Sequence, residues 1–261
     1  MYENRLTPVF QGAAAVVVRK LVVSLAVASA AIAAKAQTPQ YVPASPPTTD
    51  TVSARELQVS SKAKHEFERG LKSLANNDAQ GSLKQFSAAI AAAPDYVAAY
   101  YHKGLAEMLL GRNDDAMRSF QAATELSDGH FPRAEFGYAL ALTREGRAAE
   151  AEPIVRHGLL AGPNIPDGHV ILGVVLLELN RVDEAEQNAL EALRSNELGA
   201  GKGHLVLGDV CAIRGDFAGQ ARELETYLDI YPKDPHRDML RGTINTARRL
   251  AEDRSAVMPA K

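Results

Sequence analysis

The chain has 261 residues, 46% of them hydrophobic, which is enough to build a sizeable core and excludes a disordered polypeptide. The formal net charge is −3, and the part beyond residue 36 carries −6, so the balance argues against a general nucleic-acid binder. Cys211 is the only cysteine, which excludes an internal disulfide and a multi-cysteine zinc site; between Val210 and Ala212 it reads as a buried helical thiol.

Residues 21–34, LVVSLAVASAAIAA, form an apolar run after Arg19 and Lys20 and before Ala34-Lys35-Ala36. This is the layout of a secretory signal peptide over residues 1–36, with Gln37 as the mature start and a periplasmic or secreted destination. The competing reading is an uncleaved anchor. Arg19 and Lys20 interrupt the longer apolar stretch from Ala13, and the run of fourteen is shorter than a usual span. Residues 37–52 hold four prolines without apolar periodicity and read as an extended linker. Ser53-Ala-Arg-Glu56 has capping-box spacing, so the folded region is expected from residue 53.

From there the chain repeats itself. Asn77, Gly111, Gly146, Asn180 and Gly215 lie 34, 35, 34 and 35 residues apart, and both residue types tolerate the positive φ that follows a helix. Seven residues before each stand Gly70, Gly104, Ala139, Gly173 and Gly208. Five residues after come Ser82, Ala116, Ala151, Ala185 and Gln220. Four further on are Phe86, Phe120, Val155, Ala189 and Leu224, and three beyond those Ala89, Ala123, Gly158, Ala192 and Tyr227. Small residues let antiparallel helices approach closely, and the bulky one between them fills the remaining space. Gln220, Ala189 and Tyr227 depart from the pattern. Repeat ends fall at Pro94, Asp128, Pro163, Glu197 and Pro232, where proline stops a helix.

This period, with its small-small-bulky-small spacing, resembles the tetratricopeptide repeat family over residues 63–232. No repeat has the family's tryptophan; Tyr100, His169 and His204 occupy that site in three of them. The resemblance implies an all-α, right-handed α-solenoid of about five helix-turn-helix repeats over residues 53–232. After it, Asp234-Pro235 reads as a helix start, and Met239, Leu240, Ile244, Ala247 and Leu250 make one apolar stripe of a capping helix over residues 233–253, before a tail at 254–261.

Several segments imitate chemical motifs. Gly199-Ala-Gly-Lys-Gly203 lacks the Ser or Thr, the first glycine and the strand of a phosphate loop, and reads as a flexible inter-repeat turn. Ser61-Lys-Ala-Lys64 matches the serine-lysine spacing of penicillin-recognising enzymes without their other elements. His65-Glu66 has Arg69 where a zinc protease has its second histidine. No catalytic residue, metal ligand or cofactor site is therefore expected.

The resemblance implies an interaction scaffold, exported by its signal, with no enzymatic activity. An envelope assembly factor tethered by an uncleaved N-terminus is the alternative, and an enzyme built on the solenoid a more remote one. Family geometry turns Phe67, Leu71, Leu74, Tyr101, Leu105, Met108, Phe136, Leu140, Val170, Val174 and Leu177 toward a concave groove. If exposed, they would take a peptide, an apolar partner helix or a second copy of the chain. Otherwise they bury one another along a tight superhelix. The Lys and Asn row that clamps acidic chaperone C-termini in this family is absent. No nucleic-acid partner is expected, and a membrane only for an uncleaved N-terminus.

Overall fold

The computed structural model describes residues 59–257 apart from Leu198. The signal, the linker and the Ser53–Glu56 capping box lie outside the described residues. The first described helix is capped by Ser60, whose Oγ accepts the Ala63 N–H at 3.2 Å.

Five antiparallel helix pairs follow one another: α1 (Ser61–Ala75) with α2 (Ala79–Ala92), α3 (Val97–Leu109) with α4 (Asn113–Leu126), α5 (Pro132–Arg144) with α6 (Ala148–Ala161), α7 (Pro166–Glu178) with α8 (Val182–Leu193), and α9 (Gly203–Arg214) with α10 (Phe217–Ile230). A last helix, α11 (Arg237–Val257), packs on α10.

The turn inside every pair is made the same way. Asn77, Gly111, Gly146, Asn180 and Gly215 all have φ between 60° and 76°. Each donates its N–H to the carbonyl three residues back, and the next residue donates to the carbonyl five back, as in Arg112 N to Glu107 O at 2.9 Å and Asp216 N to Cys211 O at 2.8 Å. This double closure satisfies the free carbonyls at the end of the first helix and reverses the chain within three residues.

The small positions admit the bulky ones. A Cβ on Gly104 would lie 2.7 Å from Phe120 Cε1, and one on Gly137 only 2.6 Å from the same atom, so the Phe120 ring is held between α3 and α5. The Phe86 ring lies against Gly70 in the same way, and Phe136 fills the space over Gly158 and Gly168. Ala116, Ala123, Ala139, Ala151 and Ala185 are fully buried where the helices cross. At Gly173 and Gly208 the fit is looser, with Val206 at 3.0 Å and Leu224 at 3.2 Å.

The departures from the pattern have physical explanations. Ala189 stands where other repeats are bulky, and the gap is closed by backbone: a Cβ on Gly203 of α9 would fall 2.7 Å from the Ala189 carbonyl oxygen. Tyr227 is fully buried in a slot for a small residue because its hydroxyl donates to Asp234 at 2.6 Å. The other carboxylate oxygen of Asp234 accepts the His236 N–H at 2.7 Å, so one side chain satisfies the last repeat and opens the cap. Helix α11 itself begins at Arg237, two residues past the expected start. Its buried stripe is Leu240, Ile244 and Ala247; Met239 and Leu250 are exposed, which corrects the wider stripe read from sequence. Both lie about 100° off the contact line with α10.

The first helices of successive repeats, α1, α3, α5, α7 and α9, also touch one another, whereas the second helices are held apart by them. The first-helix layer is therefore the inner one and the second helices form the outer one. Across the outer layer, Arg181 bridges Glu152 of α6 at 2.6 Å and Glu184 of α8 at 2.6 Å, and from the end of α9 Arg214 reaches Asp183 and Glu186 of α8 at 2.6 and 2.8 Å. Among the described residues no helix is long and apolar enough to cross a membrane.

Candidate partner-binding face

The apolar row expected to line the groove is not open. Leu74, Leu105, Met108, Phe136, Leu140, Val170, Val174 and Leu177 are buried, none more than 3% exposed, and only Phe67, Leu71 and Tyr101 remain half-buried. The reading of these side chains as free contacts is thereby corrected: because α3, α5, α7 and α9 touch, the row is the core of the inner layer. In α7 the effect is complete, with every residue from Val170 to Leu177 buried, so the helix has no amphipathic face to offer a ligand.

What the inner layer does present is polar and lies along its edge. Arg133, Asp167 and Lys202 take the same register in three consecutive repeats, each thirteen residues before the turn glycine or asparagine. Pro132 and Pro166 open α5 and α7 and set the adjacent side chains on the first turns. Arg133 Nη1 donates to Asp167 Oδ2 at 3.0 Å and Lys202 Nζ to Asp167 Oδ1 at 2.7 Å. The carboxylate sits at a helix N-terminus, where the macrodipole favours negative charge. Burial alone would raise the Asp167 pKa, but Lys202 and Arg133 hold it below the usual carboxylate range.

Lys202 is only 3% exposed. The Gly199–Gly203 segment that carries it is therefore no flexible turn: Ala200–Lys202 form a 3₁₀ turn after Gly199, whose φ is 102°. The Tyr231 ring and Ile230 close over Gly201, where a Cβ would lie 3.0 Å from Tyr231 Cε2 and 3.1 Å from Ile230, and fix the segment against the end of α10. The ladder holds two cations for one anion, and Arg133, with 36% of its side chain exposed, is its open end. Tyr101 flanks it; burial and the Asp167 charge raise its phenol pKa.

Beside the ladder, His102 lies among Phe67, Phe86 and Tyr101, with ring centroids 5.3, 5.6 and 5.1 Å away. Burial, then the Arg133 charge, lowers its pKa to about 4, so it is neutral near pH 7. His169 and His204, in the family's tryptophan site, tie the paired helices together: His169 Nδ1 lies 3.3 Å from Asn188 of α8 and His204 Nδ1 2.7 Å from Glu223 of α10. Cys211 is half-buried and not fully so; burial and then Asp216 raise its thiol pKa, away from a reactive thiolate. Among the described residues no group of His, Cys, Asp and Glu side chains is placed to hold a metal ion.

The charged ladder was missed in the sequence, although its signal was present as three charged residues 34 and 35 positions apart. Read singly they look like solvated helix termini.

Comparison with known proteins agrees with this architecture. The sequence profile of the tetratricopeptide repeat matches residues 67–130, 111–164 and 171–235. No curated protein matches significantly. Similar solved structures include TTC0263, a thermophilic tetratricopeptide protein of Thermus thermophilus, at 17% identity over 71% of this chain and 98% of that one, with a TM-score of 0.64. The type IV pilus biogenesis factor PilW is 14% identical over 76% of this chain and 94% of its own, with a TM-score of 0.58. One chain of the APC/C hetero-tetramer Cut9-Hcn1 is 17% identical over 77% of this chain and 41% of that one, at 0.61. At these identities the likeness is one of fold. On its profile match and its five stacked helix pairs, the chain belongs to the tetratricopeptide repeat family.

Proposed function

We propose that the chain is an exported protein-interaction scaffold that recognises its partner through the polar edge of the inner helix layer. The observation that carries this reading is the Arg133–Asp167–Lys202 ladder: three side chains from three repeats, aligned by the repeat itself, with a half-exposed guanidinium at its open end. Tetratricopeptide folds generally mediate protein–protein contact, and this inner layer, filled by its own apolar side chains, leaves recognition to such edges. A guanidinium whose fork is only partly engaged favours planar acceptors, carboxylate or backbone carbonyl, on the partner. Export rests on the signal-like residues 1–36, with maturation at Gln37.

The test is affinity capture from an envelope extract with wild type and Arg133→Glu side by side, together with N-terminal mass analysis of the chain from its producing cell. A partner enriched by wild type and lost with Arg133→Glu, and a mature start at Gln37, are expected. Equal recovery by both proteins overturns the assignment to this edge, and an intact segment 21–34 overturns maturation at Gln37.

A further inference from the structure

A second surface lies on the outer side. Helices α4 and α6 stand apart with α5 as the floor between them, leaving an open groove of about 440 Å³ lined by Gln121, Thr124, Glu135, Tyr138, Pro153, Ile154 and His157. That volume falls in the range of ligand pockets, roughly 300–1,000 Å³. Its walls are largely apolar, from Tyr138, Pro153 and Ile154.

The floor is charged. Glu135 projects from α5 and is 6% exposed. Its neighbour in hydrogen-bond reach is the imidazole of His157, whose Nδ1 lies 2.9 Å from Oε2 and 3.1 Å from Oε1. That ring is itself 69% exposed and forms part of the wall. Two further polar groups of the lining are engaged within α4: the Thr124 hydroxyl donates to the Phe120 carbonyl at 3.1 Å, and the Gln121 amide to Glu125 at 2.8 Å. A carboxylate can accept about four hydrogen bonds. Among the described residues no lysine or arginine pairs with Glu135, in contrast to Glu107, which is equally buried but receives Lys103 Nζ at 2.6 Å and the Ser119 hydroxyl at 2.6 Å. A buried carboxylate at the end of an apolar groove is costly unless a cation completes it.

We infer that this groove receives a lysine or arginine side chain of a partner polypeptide. The aliphatic stem lies along Pro153 and Ile154, the cationic head reaches Glu135, and the Tyr138 ring adds its negative face to the attraction. The inference rests on the scaffold reading only in taking the cation from a protein; Glu135 shares α5 with Arg133, but its groove opens between the second helices α4 and α6.

The experiment uses the full chain with ¹³C-labelled Ile and Thr methyl groups. The probes are pentylammonium, pentanol and pentanoate, then a capped Leu-Lys-Leu tripeptide. Pentylammonium shifts the Ile154 and Thr124 methyl signals at millimolar concentration, and binds about tenfold more tightly than pentanol, as a charge-assisted bond to a buried carboxylate requires. Pentanoate binds no better than pentanol. Glu135→Gln removes the tenfold preference while the Ile171 methyl signal in the core stays unchanged. Should Glu135→Gln disturb the fold, Ile154→Trp fills the groove from its wall and abolishes the shift of the remaining reporter, the Thr124 methyl signal. The tripeptide binds at least as tightly as pentylammonium, because the groove is open.

Equal binding of the three small probes, a preference that survives Glu135→Gln, or shifts confined to other methyl groups overturns the site. Weaker binding of the tripeptide than of pentylammonium overturns the polypeptide source. The probes need no partner, so failure here leaves the Arg133 capture result standing, and failure of that capture leaves the probe result standing.

Discussion

Gly104→Ala adds one methyl group, and its effect can be worked from the contacts. The new Cβ would lie 2.7, 2.8 and 2.9 Å from three atoms of the Phe120 ring, where carbon atoms normally rest about 3.5–4.0 Å apart. The ring cannot retreat, because its other side meets Gly137 just as closely. Overpacking of this kind costs about 1–3 kcal/mol, while replacing glycine by alanine inside a helix gains about 1 kcal/mol, so the net loss is about 0–2 kcal/mol. Gly242→Ala supplies the control, since nothing lies within 4 Å of a Cβ there on α11 and only the gain applies. Thermal melts of the two variants should therefore move in opposite directions, by roughly 2–4 °C for each kcal/mol in a domain of this size. Combining Gly104→Ala with Phe120→Leu should cost less than the two single changes added together, because the smaller side chain makes room for the methyl group. A Gly104→Ala protein that melts as high as Gly242→Ala would refute the reasoning, and with it the placement of Phe120 between α3 and α5.

Three further outcomes are expected. His102, with its folded pKa lowered to about 4 against about 6.5 unfolded, binds its proton more readily in the unfolded chain. Its contribution is complete above about pH 6.5 and is lost as the pH falls toward 4, so denaturant midpoints of wild type should drop across that window more steeply than those of His102→Phe. Asp167, depressed by Lys202 and Arg133, works at lower pH: its contribution is present above the ordinary carboxylate range and is lost as the pH falls through the folded value, so Asp167→Asn should flatten the acid limb of the unfolding curve. Tyr227→Phe removes the hydroxyl that satisfies buried Asp234 and should cost about 1–3 kcal/mol, with faster hydrogen exchange in α11 as the local readout.

The repeat was legible because its register is carried by residues with a single physical use. A residue tolerant of positive φ closes each turn, and small residues stand where helix axes approach, so five copies of one spacing give the pairing of helices without any contact being known. The fate of the inner row was not legible in the same way. Phe136, Leu140 and Val170 look alike whether they face a groove or a neighbouring helix, and the choice is made by how closely successive first helices stack, a property of the whole array. Lys202 was hidden by its glycine neighbours, which suit a loose turn as well as the 3₁₀ turn held by Tyr231. Glu135 and His157 lie 22 residues apart on different helices, and only the antiparallel pairing of α5 and α6 makes them one feature.

The central claim is that a protein partner meets the polar edge of the inner layer, and site-specific photo-crosslinking tests it most directly. A photo-reactive side chain at Ala98, the residue in the register of Arg133 one repeat earlier, is compared in the producing cell with the same group at Arg222, an exposed position on α10 with 69% of its side chain accessible. A discrete adduct is expected from position 98, none from position 222, with loss of the first when Arg133→Glu is added. An adduct from position 222 alone, or one at position 98 that survives Arg133→Glu, would contradict it.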